Sequence, residues 1–213
     1  MQSALVKSLK DIFSLDVIKF IVKVAFSSFV IMIVIFWIFW QQYSSFIASL
    51  ASYAPLLGHY GWFTEGVAVV AAPFIAYGII LALISLLTSI FSPKLLIKLA
   101  KKHYGIEGSD NSKISEVIKV NLKATLKFFG LTILLLPALF VPILGQIVML
   151  LLWAVLLKEP TEYDIKSLFN IDNAKSSQIA SIIAALFNYI PILNVFSALF
   201  AQILFLHFIL SKK

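Results

Sequence analysis

Residues 137–145 read PALFVPILG, and they sit at the centre of 30 consecutive uncharged residues, 128–157, bounded by Lys127 and Lys158. A proline inside a helix removes a backbone hydrogen bond and clashes with the preceding turn. Pro137, Pro142 and Gly145 are therefore badly placed for the middle of one spanning helix. A second uncharged run, 176–211, repeats the pattern with NYIPILN at 188–194 and Pro191 at its centre. If the chain turns at PALFVPILG, the legs are 128–140 and 143–157, 13 and 15 residues long. At 1.5 Å per residue these reach about 20 and 23 Å, short of the roughly 30 Å hydrocarbon core. The second run gives legs 176–189 and 192–210, the first short and the second, with 19 residues, nearly long enough to cross. Each run reads as a hairpin that enters the membrane, turns and leaves on the same side. Such a turn must be buried in protein or face a wet cavity, because lipid cannot satisfy its backbone.

Composition fixes the environment. Of 213 residues 61% are hydrophobic and only 13% charged, with a mean hydropathy of +1.00, whereas a soluble domain is about half apolar and about a quarter charged. The chain reads as a single integral membrane domain, 1–213. All 17 basic residues are lysine, so an anion site must use lysine, backbone N–H groups or hydroxyls in place of the bidentate arginine fork. There is no cysteine, which excludes disulfides, iron–sulfur clusters and thiolate metal sites. His59, His103 and His207 stand in separate segments without metal-ligand spacing. Neither a phosphate-binding glycine loop nor a catalytic motif is present, so the reading is not an enzyme, with no metal site and no cofactor. The basic balance does not point to nucleic acid, because lysines beside spans serve orientation.

The first span is 24–40, VAFSSFVIMIVIFWIFW, extended by Phe20, Ile21 and Val22, with Trp37 and Trp40 marking an interface. The run from Val24 follows 23 residues that include Asp11 and Asp16, unlike a cleavable signal. Residues 41–65, broken by Pro55, Gly58 and Gly61, read as an interfacial loop with at most one short helix. The second span is 66–91, uncharged over 26 residues, with Glu65 as a cap at its N-terminus. Next comes an amphipathic helix in SPKLLIKLAKKHYG (92–105). Ser92 is its expected N-cap, Pro93 its first residue and Gly105 its stop. Lys94, Lys98, Lys101 and Lys102 line the face opposite Leu95, Leu96 and Leu99. A further stripe, Ile114, Val117, Ile118, Leu122, Thr125, Leu126 and Phe129, has the period of a buried helix face, with Lys119, Lys123 and Lys127 opposite. Between 92 and 127 eight lysines face three acids, a net of +5, which suits an anionic membrane surface.

Two spans and two hairpins put 1–23, 92–127, 158–175 and 212–213 on one side. All 17 lysines fall there and none in 41–65. The positive-inside bias is complete, with both termini cytoplasmic. Four kinked spans would instead place Lys158, Lys166 and Lys175 outside, in a segment that also holds Glu159, Glu162, Asp164 and Asp172.

The segment 137–164, PALFVPILGQIVMLLLWAVLLKEPTEYD, resembles the central element of the CysZ family, also called the etoposide-induced protein 2.4 domain family. There an apolar Pro…Gly turn leads into a helix ending at an acidic-Tyr-acidic group, here Glu162, Tyr163 and Asp164. LFNYIPILNVFSALFAQILF (186–205) is similar to the family's second turn, and SPKLLIKLAKK to its stretch after the second span. The resemblance implies a bacterial inner-membrane sulfate permease. Its fold would be all-α: two long transmembrane helices, two re-entrant (hemi-penetrating) helical hairpins and amphipathic cytoplasmic helices, assembled as a homo-oligomer. The family binds sulfate at a Gly-Leu-Arg motif near the start of the first long helix. FSLDVIKF (13–20) has neither the Gly nor the Arg, and Lys19 and Lys23 are the available positive charges.

The candidate substrate pathway is therefore Lys19, Lys23, Gln146, Asn188 and Asn194, with Pro137, Pro142, Gly145 and Pro191 forming the hairpin turns. The plainer alternatives are that the lysines snorkel to the interface, the asparagines cap helix ends, the glutamines Gln146 and Gln202 bridge helices, and Ser27 and Ser28 serve helix packing. His207 reads as interfacial. Two functions compete: a small-anion transporter or channel, and a non-transporting membrane protein that organises lipids or partner proteins through its basic helices. A single cysteine at Ser167 reports the sidedness. An impermeant maleimide is expected to label it only from the cytoplasmic face, and labelling from outside contradicts the hairpin topology.

Overall fold

The structure, a computed structural model, describes residues 2–54, 57–110, 112–170, 174–190 and 193–211. Among them there is no strand, and the chain runs α1 (Gln2–Ile12), α2 (Leu15–Ala51), α3 (Gly61–Phe91), α4 (Pro93–Tyr104), α5 (Ile114–Leu134), α6 (Leu136–Leu139), α7 (Leu144–Phe169), α8 (Ala174–Ala185) and α9 (Ser197–Leu210). Two 3₁₀ segments, Leu186–Tyr189 and Leu193–Phe196, stand between α8 and α9. Four stretches are long and apolar enough to cross a membrane: Leu15–Ala51, Gly61–Phe91, Leu144–Phe169 and Leu193–Leu210. With the composition, they make this a multi-pass membrane protein. The chain divides into two compact units, Met1–Val24 with Ile84–Lys213, and Ala25–Leu83.

PALFVPILG forms a reversal, and its prolines stand where a proline costs least. Pro137 lies in the first turn of the four-residue α6, where its missing N–H has no helical partner to lose. Pro142 is in the turn itself. Its carbonyl accepts from Leu144 N at 2.7 Å around Ile143, which is held at φ 66°, ψ −56°. This is the rarer, positive-φ kind of γ-turn, and a β-branched residue there is strained. Gly145 supplies the remaining clearance. A Cβ added to it would lie 2.3 Å from the Leu139 carbonyl oxygen, so no side chain fits while the turn keeps its shape. Beyond the turn α5 and α7 run side by side, and Lys127 and Lys123 on one meet Glu159 on the other.

The helices of this hairpin extend past the uncharged legs. α7 has 26 residues and continues through Pro160, because Leu157, Thr161, Asp164, Ile165 and Leu168 keep one buried face beyond Lys158. Leg length alone therefore does not bar α7 from crossing. The second run also folds back. α8 packs on α9, and Phe187 of the first 3₁₀ segment meets Phe200 of α9 edge-to-face at 4.5 Å. Pro191 lies outside the described residues. The core of this larger unit is α9, in which all 14 residues from Ser197 to Leu210 are buried. A helix apolar on every side must be surrounded, and α1, α4, α7 and α8 pack against it.

Several local expectations need correction. The α5 face packed inward is Val117, Asn121, Ala124 and Phe128, which shares only Val117 with the predicted stripe. Ile114, Ile118, Leu122 and Leu126 are exposed. In a membrane protein lipid accepts large apolar side chains, while smaller and polar ones join helices, so hydropathy alone picked the wrong face. Ser92 precedes α4 in a helical conformation, and its buried hydroxyl has no partner among the described residues. Gly105 ends α4 as expected, in the left-handed region at φ 66°. Glu65 lies beyond the first turn of α3 rather than capping it.

In the smaller unit the interval 41–65 is mostly helix, since α2 runs to Ala51 and α3 begins at Gly61. No proline interrupts α2 before Pro55, and the hydroxyls of Ser44, Ser49 and Ser52 bond back to carbonyls three residues earlier. Tyr43 ties α2 to α3 by donating to the Ala68 carbonyl at 2.7 Å. Gly145→Ala is expected to lower unfolding stability in detergent by about 1–3 kcal/mol through overpacking. Gly130→Ala, with nothing within 4 Å of its added Cβ, serves as the control. It should leave stability unchanged or raise it by up to about 1 kcal/mol, and equal melting of both variants contradicts the turn geometry.

Candidate functional site

Two buried polar clusters lie within the larger unit. The first centres on Asp164 of α7, which is only 3% exposed. Its Oδ2 accepts from the Ser89 hydroxyl of α3 at 2.6 Å and from Gln202 Nε2 of α9 at 2.5 Å. The Gln202 carbonyl oxygen is buried and has no hydrogen-bond partner among the described residues. In α3, Ser85 donates to Asn121 Oδ1 of α5 at 3.1 Å, while the Asn121 amide bonds to the Val117 carbonyl. These bonds join α3, α5, α7 and α9. Gln202 thus bridges helices, as its plainer reading held. An ionisable group in a span is expensive and marks a functional position by default.

The second cluster joins α1, α4 and α9. His207 is fully buried within the protein. Its Nε2 lies 2.9 Å from Asp11 Oδ2, and its Nδ1 2.8 Å from the Tyr104 hydroxyl. His103 Nε2 lies 3.0 Å from Asp11 Oδ1 and 2.9 Å from Oδ2. The two imidazoles meet edge-to-face with centroids 5.2 Å apart. Burial pushes the Asp11 carboxyl up, but hydrogen bonds from His207 and His103 outweigh it and hold the group below the usual carboxylate range. Burial pushes the Tyr104 phenol up, and the Asp11 charge adds to this, so Tyr104 is a neutral phenol. Since a carboxylate only accepts, each histidine must offer Asp11 an N–H. That leaves Nδ1 of a neutral His207 to accept from Tyr104. The histidines that stand apart in sequence are therefore partly reunited: His103 and His207 share one carboxylate, while His59 is exposed on its own loop.

The expected pathway residues are distributed less tightly. Lys19 and Lys23 are exposed on α2 and, among the described residues, form no ion pair within 4 Å. Between them and α1, Asp16 pairs with Lys98 of α4 at 2.6 Å. Gln146 is exposed near the start of α7, Asn188 is buried in the first 3₁₀ segment, and Asn194 is half-buried in the second. The two turn regions meet. The Tyr189 hydroxyl donates to the Gln146 carbonyl, and the Tyr189 ring packs edge-to-face on Trp153 at 5.0 Å. Gln146 and Asn188 are thus brought into one neighbourhood. Ser28 is buried and Ser27 exposed.

Residues 4–198 match the family described as Sulfate transporter CysZ/Etoposide-induced protein 2.4. The chain belongs to that family. Comparison with curated proteins and with solved structures gives no match. The family match covers both turn regions and the whole of α7, and it begins before Asp11. Sequence reasoning missed the Asp11 cluster, whose end members are 196 residues apart. The one available signal was that Asp11, His103 and His207 each stand in the last turn of a helix. Ser89→Ala removes one donor to a buried carboxylate without opening a large cavity. It is expected to cost about 1–3 kcal/mol of unfolding stability, and Tyr104→Phe about 1 kcal/mol. Parental stability in both variants would show that these bonds contribute nothing net.

Proposed function

We propose that this chain is an inner-membrane transporter or channel for a small inorganic oxyanion, sulfate first among the candidates. The observation that carries this reading is the family match over residues 4–198. The lysine distribution supports a cytoplasmic placement of both termini. Within that reading α5–α6–α7 and α8–α9 are re-entrant hairpins, and a homo-oligomer surrounds the path with protein. The meeting of Tyr189 with Gln146 supports a shared tip region. Buried protein or a wet cavity is what non-helical backbone at membrane depth requires. Gln146, Asn188 and Asn194 then line the path, while Lys19 and Lys23, exposed on α2, draw the anion to its mouth. Without arginine they act as point charges rather than as a bidentate clamp.

One observation favours the second reading, a protein that organises lipid or partners without transport. Leu122 and Leu126 are exposed among Lys119, Lys123 and Lys127 and line a shallow surface groove with them. That pairing of apolar and cationic groups suits an anionic membrane surface. The two readings separate in proteoliposomes. Transport predicts saturable uptake of labelled sulfate above empty liposomes, and a lower initial rate for Lys19→Gln with Lys23→Gln at unchanged protein insertion. Absence of uptake by folded, inserted protein removes sulfate as the substrate. Loss of binding to anionic vesicles on neutralising Lys119, Lys123 and Lys127, with uptake absent throughout, favours the second reading.

A further inference from the structure

We propose that Asp11, His103 and His207 bind one divalent transition-metal ion of the zinc type, which staples the first and last helices to α4. The donor set is two imidazoles and a carboxylate, the ligands that suit zinc and its neighbours and not the hard cations that prefer oxygen alone. One ligand atom from each residue lies within 4.8 Å of the others, with Asp11 oxygens 2.9 to 3.0 Å from both Nε2 atoms. Tetrahedral coordination at about 2.0–2.1 Å needs ligand atoms about 3.3 Å apart. The site has to open by a few tenths of an ångström between Asp11 and each ring, and the two ring nitrogens, which lie within 4.8 Å of one another, have to draw in to the same spacing; rotation of the side chains supplies both.

The surroundings fit the same chemistry. A ligating histidine is normally held through its other ring nitrogen, and His207 Nδ1 is already 2.8 Å from the Tyr104 hydroxyl. On metal binding both histidines change tautomer: each Nε2 gives its lone pair to the ion and its proton passes to Nδ1, and on His207 that Nδ1–H donates to Tyr104. His207 and Asp11 are closed to solvent, with side-chain exposures of 0% and 4%, while His103 is 21% exposed. The His103 side is thus the entry path and the place for a water as fourth ligand. All three donors stand in the last turn of their helices, where the backbone carbonyls make the field negative and favour a cation. Lys102 is the competing charge, with Nζ 3.8 Å from Asp11, but its side chain is 61% exposed and free to swing away. Two neutral imidazoles and one carboxylate leave a net +1 with a divalent ion, a modest burden beside a solvated opening.

The test uses the untagged full-length protein in detergent, stripped with a chelator and titrated with Co2+ and then Zn2+. Expected are one equivalent of Co2+ per chain with visible d–d bands, displacement of those bands by Zn2+, and a higher unfolding temperature with the ion bound. His103→Gln, at the partly exposed ligand, should lose saturable binding and the thermal shift while the metal-free protein remains folded. Tyr104→Phe should weaken binding about 10–100-fold. His59→Gln, on the exposed loop, should bind as the parent does. Absence of one-equivalent binding, retention of it in His103→Gln, or its loss in His59→Gln each overturns the proposal.

Discussion

The pairing of α5 with α7 depends on one close approach, that of Gly145 to the carbonyl of Leu139. An added Cβ would sit 2.3 Å from that oxygen, so the tight reversal exists only because the residue has no side chain. Ile143 takes the strained positive φ beside it. The two prolines have no helical hydrogen bond to break where they stand. Once the chain reverses, α5 and α7 lie together and Glu159 reaches the lysines of α5. The start of α7 is then presented to Tyr189 from the second turn. A chain that ran straight through 137–145 would have none of these contacts.

The second dependence is on α9, buried over its whole length. A helix with no lipid face cannot be positioned by the bilayer, so its neighbours must specify its height and rotation. Hydrophobic packing is poor at this in a membrane, because lipid tails are as apolar as leucine. Directional polar contacts do it better. Gln202 locks α9 to Asp164 and, through it, to Ser89 of α3. Near the other end, His207 locks it to Asp11 and Tyr104. Dispersion fills the space between these two points, and the polar groups fix the register.

The chain reversal at 137–145 was legible in the sequence because proline and glycine act locally, and their cost in a helix interior does not depend on context. So were the four apolar helical stretches and the stop at Gly105. The inward face of α5 was not legible. The rule that large apolar residues point inward assumes water outside, and with lipid outside it selects Leu122 and Leu126, which are exposed, over Asn121 and Ala124. The length of α7 was missed because the leg was ended where the uncharged run stops, at residue 157, although the buried face continues past Lys158. The Asp11–His103–His207 cluster was invisible for a different reason. Its members have no spacing relation, and only the placement of α1 and α4 around α9 creates it.

The account rests most directly on the reversal between α5 and α7, and a distance decides it. The natural chain has no cysteine, so spin labels on Lys127→Cys and Glu159→Cys report a single pair in membrane-inserted protein. A hairpin predicts strong dipolar coupling, within about 20 Å including the label arms, since the native side chains form an ion pair. A single span across the intervening 31 residues, 128–158, would separate them by about 48 Å at 1.5 Å per residue. That longer distance would contradict the fold on which the rest depends.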